Sequence, residues 1–219
     1  MIMQTSLLSS VNADRILLND VSWETYEKLR EIFADYSSIR LNYYKGLLEL
    51  MTPLLGHEIY SWTLGRLVTI LSEELDLEIK GLKSTTWRSQ TQEVGKEADE
   101  CFYIQNEPLV RNKLKIDLQA DPPPDLVIEV DLTHSAINKF LIYAGLKVPE
   151  IWCYQDGKLQ IYLLTATGYQ ESQTSLAFKS FPVKQIVQFM QLDLNKGENA
   201  RMKEFRKWVR EILSNQSFD

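Results

Sequence analysis

The sequence predicts a mixed α/β fold, a β-sheet with helices packed on it. Three observations carry this. Short β-branched and aromatic runs alternate with helical stretches along the chain. Turn residues, Lys45-Gly46 and Asp156-Gly157, sit between paired strand-like runs, as hairpins require. The composition of the 219 residues, 44% hydrophobic and 25% charged, is that of a globular chain able to bury a core.

In chain order, residues 1–14 are mostly small or polar and are expected to form a flexible N-terminus. Arg15–Leu18 reads as a short strand. Ser22 is a natural N-cap for a helix to about residue 33, with Trp23, Tyr26, Leu29 and Phe33 near helical spacing. Arg40–Tyr44 and Leu47–Met51 make a hairpin, stopped by Thr52-Pro53. Residues 57–75 carry the longest helical stripe, through Tyr60, Leu64, Leu67, Val68, Leu71 and Leu75. Residues 77–80, 84–88 and 101–104 are strand candidates.

Pro122-Pro123-Pro124 bars a helix and fixes the start of the strand Leu126–Val130. A helix is predicted over about 135–144, with Gly145 past its end. Residues 151–154 and 158–163 flank the second hairpin turn, and a short strand and a helix near 183–191 follow Tyr169. Residues 199–213 place Met202, Phe205, Val209 and Ile212 on one face of an amphipathic, locally basic helix. No Gly/Ser linker or repeat divides the chain, so the expected organisation is one domain over 15–195 and a C-terminal helix and tail over 196–219.

The formal net charge is −6, from 24 Lys+Arg and 30 Asp+Glu. Nucleic-acid partners favour basic surfaces, but the surplus is local. Residues 93–131 hold ten acids and four bases, and the rest of the chain balances. No apolar run reaches the ~18 residues of a membrane span, and the start lacks the basic and apolar regions of a secretory signal. Cys101 and Cys153 are too few for a disulfide framework or a cysteine zinc site, so a reducing, cytoplasmic setting is expected.

Four features bear chemistry. Asp99 stands just before the 101–104 run, and Glu129 lies inside the apolar Leu126–Val130 strand. An ionised Glu there is costly to bury unless paired or bound to metal. Strand alternation puts it on the face of Val127 and Asp131, opposite Leu126, Ile128 and Val130. Lys139 lies one helical turn before Tyr143 on the following helix. His57 and Glu58 open the long helix, with Glu49 in the preceding hairpin.

Two carboxylates on neighbouring strands beside a lysine suit metal-assisted phosphodiester hydrolysis, since carboxylate oxygens hold Mg²⁺ and the metal polarises phosphate and water. Structural roles also fit: Asp99 as a turn residue, Glu129 in a buried ion pair, Lys139 as a solvated helix residue and His57 as a capping or packing histidine. His134 reads as a loop residue, and Trp62, Trp87 and Trp152 as core or subunit-contact residues.

A resemblance weighs between these readings. The runs Glu97-Ala98-Asp99-Glu100-Cys101-Phe102-Tyr103-Ile104 and Pro123-Pro124-Asp125-Leu126-Val127-Ile128-Glu129-Val130 resemble the restriction-endonuclease-like Uma-two family of the PD-(D/E)xK nuclease superfamily. So do Ser135-Ala136-Ile137-Asn138-Lys139, Ile142-Tyr143-Ala144 and Val148-Pro149-Glu150-Ile151-Trp152, together with the stretch from Gly46 to Pro53 and His57-Glu58. The resemblance covers roughly 15–190.

It implies a restriction-endonuclease-like mixed β-sheet flanked by helices. It also implies Mg²⁺-dependent hydrolysis of DNA, with Mn²⁺ as a substitute. Asp99 matches the Asp of the PD element and Glu129 the acidic residue of (D/E)xK, both as metal ligands; Lys139 matches the migrated lysine that positions water. Glu49, His57 or Glu58 would complete the site. Ala98 replaces the motif proline and Asp131 stands where the usual lysine would. Those departures support a rival expectation: a catalytically silent relative that binds DNA or protein. A homodimer contact is expected at Trp152 and its hairpin.

Overall fold

A computed structural model describes residues 15–36, 38–132, 135–191 and 196–216. Residues 1–14 and His134, the subjects of two of the expectations above, lie outside them.

The chain opens with β1 (Arg15–Leu18), α1 (Trp23–Ile32), β2 (Arg40–Tyr44) and β3 (Leu47–Met51), followed by the long α2 (Leu55–Glu74). The Ser22 side chain accepts the Thr25 N–H and caps α1 as its position predicts. Lys45 and Gly46 both take positive φ, the conformation that lets a two-residue turn follow the twist of its strands. After α2, residues 75–77 do not begin a strand. Asp76 turns left-handed (φ 55°) and Leu77 N–H returns to Ser72 O, closing the helix in a Schellman turn. Of the 77–80 candidate, Lys80 alone joins a strand, the two-residue β4 (Lys80–Gly81).

Then come β5 (Thr86–Ser89), β6 (Val94–Glu97), β7 (Glu100–Tyr103), the short α3 (Glu107–Val110) and β8 (Leu126–Val130). Neither β6 nor α3 is signalled by apolar periodicity. The chain ends with α4 (Lys139–Gly145), β9 (Glu150–Gln155), β10 (Lys158–Thr165), β11 (Gly168–Ser172), a 3-10 turn (Val183–Phe189) and α5 (Glu198–Gln216). α4 starts at Lys139, not near 135, because Asn138 caps it through the Phe140 N–H.

The strands form two sheets. One is antiparallel, in the order β1-β3-β2-β6-β5. The other runs β11-β10-β9-β8-β7-β4 and is mixed, because β8 and β9 are parallel and joined through α4. Ala98 and Asp99 are the two residues by which the chain passes from β6 in the first sheet to β7 in the second.

Three apolar clusters hold this arrangement. α1 packs Trp23 and Tyr26 on Leu41, Tyr43 and Leu48 of the first sheet. α2 and α5 cover one face of the second sheet, over Leu126, Ile128 and Val130. α4 packs Ile142 and Tyr143 against its other face, with Val127, Cys101 and Trp87. β8 is buried on both faces, which is why it reads as a continuous apolar run with one acid in it. Trp152 is fully buried beside Phe178 in the α2–α5 core, so it is not available as a subunit contact. Among the described residues no helix is long and apolar enough to cross a membrane.

Candidate active site

The two sheets meet at a polar cleft. Alternation on β2 sends Leu41 and Tyr43 to the α1 cluster and leaves Arg40 and Asn42 facing the cleft. β6 pairs with β2 in a register that puts Lys96 opposite Asn42. Asp99, Glu129, Asp131, Lys139 and His57 line the same cleft, whose volume is about 30 Å³, roughly two waters' worth of space. The predicted pair, Asp99 and Glu129, therefore converge, and Lys139 reaches the same place.

Asp99 is 6% exposed. Its Oδ2 accepts the Val130 N–H at 2.7 Å and faces His57 Nε2 at 3.1 Å, while Oδ1 pairs with Arg40. Burial would push this carboxyl up, but the hydrogen bond and charge of His57, with Arg40 and Lys96, outweigh it and hold Asp99 at about 2.

Glu129 is 4% exposed, accepts the Tyr143 hydroxyl on Oε1 and lies 3.2 Å from Lys96 Nζ through Oε2. Here burial prevails: with Asp99 adding to it and Lys96 opposing, Glu129 is raised above the usual carboxylate range. The environments of the two acids thus push their pKa values apart. Lys139 is ion-paired to Asp131. Burial works against its charge, but Cys153, Glu129 and Asp131 more than offset that and raise its pKa.

The other named residues take distinct positions. Glu49 is 1% exposed and accepts from four donors: Arg15 Nη1 (3.1 Å), Asn42 Nδ2 (2.9 Å), Ser135 Oγ (2.8 Å) and Ala136 N (2.9 Å). A carboxylate offers about four lone-pair sites, so these donors saturate it. It ties the segment before α4 to the first sheet. Glu58 is half exposed at the start of α2 and pairs with Arg40 at 2.7 Å. His57 is buried, and its Nδ1 has no hydrogen-bond partner among the described residues, 4.0 Å from Glu58 Oε1.

Arg40, Asn42 and Lys96 are cleft residues that the sequence motifs do not include. The signal for the first two was available: in the run Arg40–Tyr44, polar residues alternate with apolar ones in a strand that a hairpin must bury. Lys96 had no such signal, since Val-Gly-Lys-Glu reads as a loop.

The donor set suits a hard divalent cation. No group of three His, Cys, Asp or Glu side chains among the described residues is arranged to hold a metal by itself. Mg²⁺, however, is commonly held by one or two carboxylates, with water and phosphate completing its shell. Around the cleft, six carboxylates (Glu49, Glu58, Glu97, Asp99, Glu129, Asp131) meet four cations (Arg15, Arg40, Lys96, Lys139). The acids outnumber these bases by two, an excess that a bound cation would offset.

Comparison with known proteins identifies a family. The Uma2 family, described as "Putative restriction endonuclease", matches residues 23–195. None of the curated proteins matches. Among solved structures, the chain is similar to "a putative nuclease belonging to DUF820" from Anabaena variabilis ATCC 29413, at 13% identity and a TM-score of 0.42, over 77% of this chain and 90% of that one.

Proposed function

This chain belongs to the Uma2 family of restriction-endonuclease-like proteins, and from that premise we propose that it is a metal-dependent nuclease that hydrolyses DNA phosphodiester bonds. The observation that carries the reading is the convergence of Asp99 and Glu129, from two separate chain segments, in one cleft with Lys139.

Asp99 and Glu129 are the residues that would hold Mg²⁺, or Mn²⁺ in its place. Bound there, the ion would polarise the phosphate and lower the pKa of water. Arg40 keeps Asp99 in place and ionised before substrate arrives, and Lys96 pairs with Glu129. Lys139, paired with an Asp131 that is 30% exposed, has the freer ammonium group and orients the attacking water. Lys96, between Glu129 and Asn42, is locked and serves to position Glu129. Glu49 positions Lys139 indirectly, by fixing Ser135 and Ala136 ahead of the α4 N-cap. The cleft is too small for a nucleotide, so the phosphate must meet the site from its open side.

The test is cleavage of duplex and single-stranded DNA by purified protein with Mg²⁺, Mn²⁺ or chelator. Asp99→Asn and Glu129→Gln should each lower the rate about a thousandfold, the kinetic equivalent of losing about 4 kcal/mol of transition-state stabilisation. Lys139→Met should lower it about a hundredfold or more. Activity that survives chelator, or either carboxylate change, contradicts the proposal.

A second reading, a catalytically silent DNA-binding or protein-interaction module, draws on the pairing of both carboxylates with Arg40 and Lys96. Calorimetric titration separates the two. Saturable Mg²⁺ or Mn²⁺ binding at millimolar concentration supports the nuclease, and a folded protein that binds neither supports the silent module.

A further inference from the structure

Asp99 and Glu100 are consecutive, so their side chains leave the backbone in opposite directions. Asp99 faces the cleft, whereas Glu100 faces a second cavity of about 580 Å³ between α2, β7 and α5. That volume falls within the ~300–1,000 Å³ of small-molecule sites.

The cavity is built in three zones. At its floor, Glu100 is 7% exposed, and its carboxylate accepts no hydrogen bond from any described residue. Gly65 makes the room: a Cβ there would lie 3.0 Å from the Glu100 carboxyl carbon. The walls include the rings of Trp62 and Phe102 and the apolar side chains of Ile70 and Met202. At the rim stand Lys83 and Lys203, both exposed; Lys83 lies 5.5 Å from the Trp62 ring centroid and its charge acts on Glu100. Arg66 and Arg206, also at the rim, are already committed to Glu198 and to Glu73 and Glu74.

A matching ligand has a flat body, hydrogen-bond donors on one edge and an anion at the far end. We propose that this cavity binds a guanine nucleotide, with the base N1–H and exocyclic amino group donating to Glu100 and the phosphate held by Lys83 and Lys203. Guanine presents two adjacent donors to one carboxylate. Adenine and cytosine offer an amino group beside an acceptor, and thymine an N–H between two carbonyls, so each would leave Glu100 half satisfied. The walls supply the stacking surface that bases of any kind use. A free guanine nucleotide and an unstacked guanine of a nucleic-acid strand present the same chemistry. The inference does not rest on the nuclease reading.

The test is titration of the full-length protein, in chelator, with dGMP, dAMP, dCMP and TMP, followed by calorimetry and tryptophan fluorescence. dGMP should bind saturably and at least about tenfold more tightly than the others. Glu100→Gln should cost about tenfold or more, and Lys83→Ala should weaken dGMP while leaving deoxyguanosine unchanged. Trp62→Leu, at an exposed ring, provides a loss independent of the buried carboxyl. A short single-stranded oligonucleotide ending in dG distinguishes the sources. If it binds more tightly than dGMP the site takes a strand, and if more weakly it takes the free nucleotide; either supports the cavity. No saturable binding at millimolar nucleotide, equal affinity for all four, or an unchanged affinity in Glu100→Gln would overturn the proposal. Because chelator removes any need for metal, these outcomes are independent of whether the protein cleaves DNA.

Discussion

At the scale of single residues, the cleft works by giving chemically similar groups different surroundings. Asp99 receives a backbone N–H, an imidazole and a guanidinium, and stays ionised. Glu129 has one ammonium and a phenol against full burial, and is raised. The consequence for Asp99 is testable through stability. Its folded-state pKa of about 2 lies below its ordinary 3.8, so the ionised group stabilises the fold above pH 4, and this contribution is lost as pH falls from about 4 to about 2. The unfolding free energy of the native protein should therefore fall more steeply over that interval than that of Asp99→Asn, measured by urea denaturation at several pH values. Equal slopes would show that Asp99 is not held as described. Removing the charge takes one carboxylate partner from buried Arg40 and leaves it Glu58 and Glu97, so the variant should be weaker at pH 7 by about 1–3 kcal/mol.

At the scale of elements, the sheet that carries Arg40, Asn42 and Lys96 depends on close packing at its back. Tyr26 of α1 stacks on Tyr43 at 4.7 Å and reaches across β6 at Gly95. A Cβ at Gly95 would lie 2.1 Å from the Tyr26 hydroxyl oxygen, so the ring must move. Gly95→Ala should cost about 1–3 kcal/mol, readable in thermal or denaturant unfolding, and an unchanged midpoint would contradict this packing. The same elements show what could be read beforehand. The two hairpins, β8 and the long α2 were legible because turn chemistry and periodicity are local. So was the placing of Glu129 opposite Ile128. Lys96 was not, because it reaches the cleft through the β2–β6 pairing, a register between residues about fifty positions apart that spacing does not encode. The 135–138 segment was read as helix, yet Glu49 holds its backbone in place of helical hydrogen bonds. Asp99, Glu129 and Lys139 stood out from the residues alone, and the family resemblance gave them their roles; without it Lys139 would have read as a solvated helix residue.

At the scale of the whole molecule, α5 completes the fold. Its Met202, Phe205 and Val209 enter the core shared by α2 and β8, and its Arg206 and Arg210 clasp Glu73 and Glu74 at the end of α2. Phe205 is fully buried against Phe189 and Trp208, so Phe205→Ala should destabilise by about 3–5 kcal/mol, readable by urea unfolding. A loss under 1 kcal/mol would mean that α5 is an appendage. The acidic surplus also takes on a place. It is concentrated in the residues 93–131 that contain Asp99, Glu129 and Asp131, where a divalent ion would reverse the local field met by phosphate. Anomalous diffraction from a crystal soaked in millimolar Mn²⁺ tests the binding of that ion most directly. The predicted result is a peak bridging the Asp99 and Glu129 carboxylates, within about 2–2.5 Å of an oxygen of each. A well-ordered cleft with no peak, or a peak that touches neither carboxylate, would contradict it.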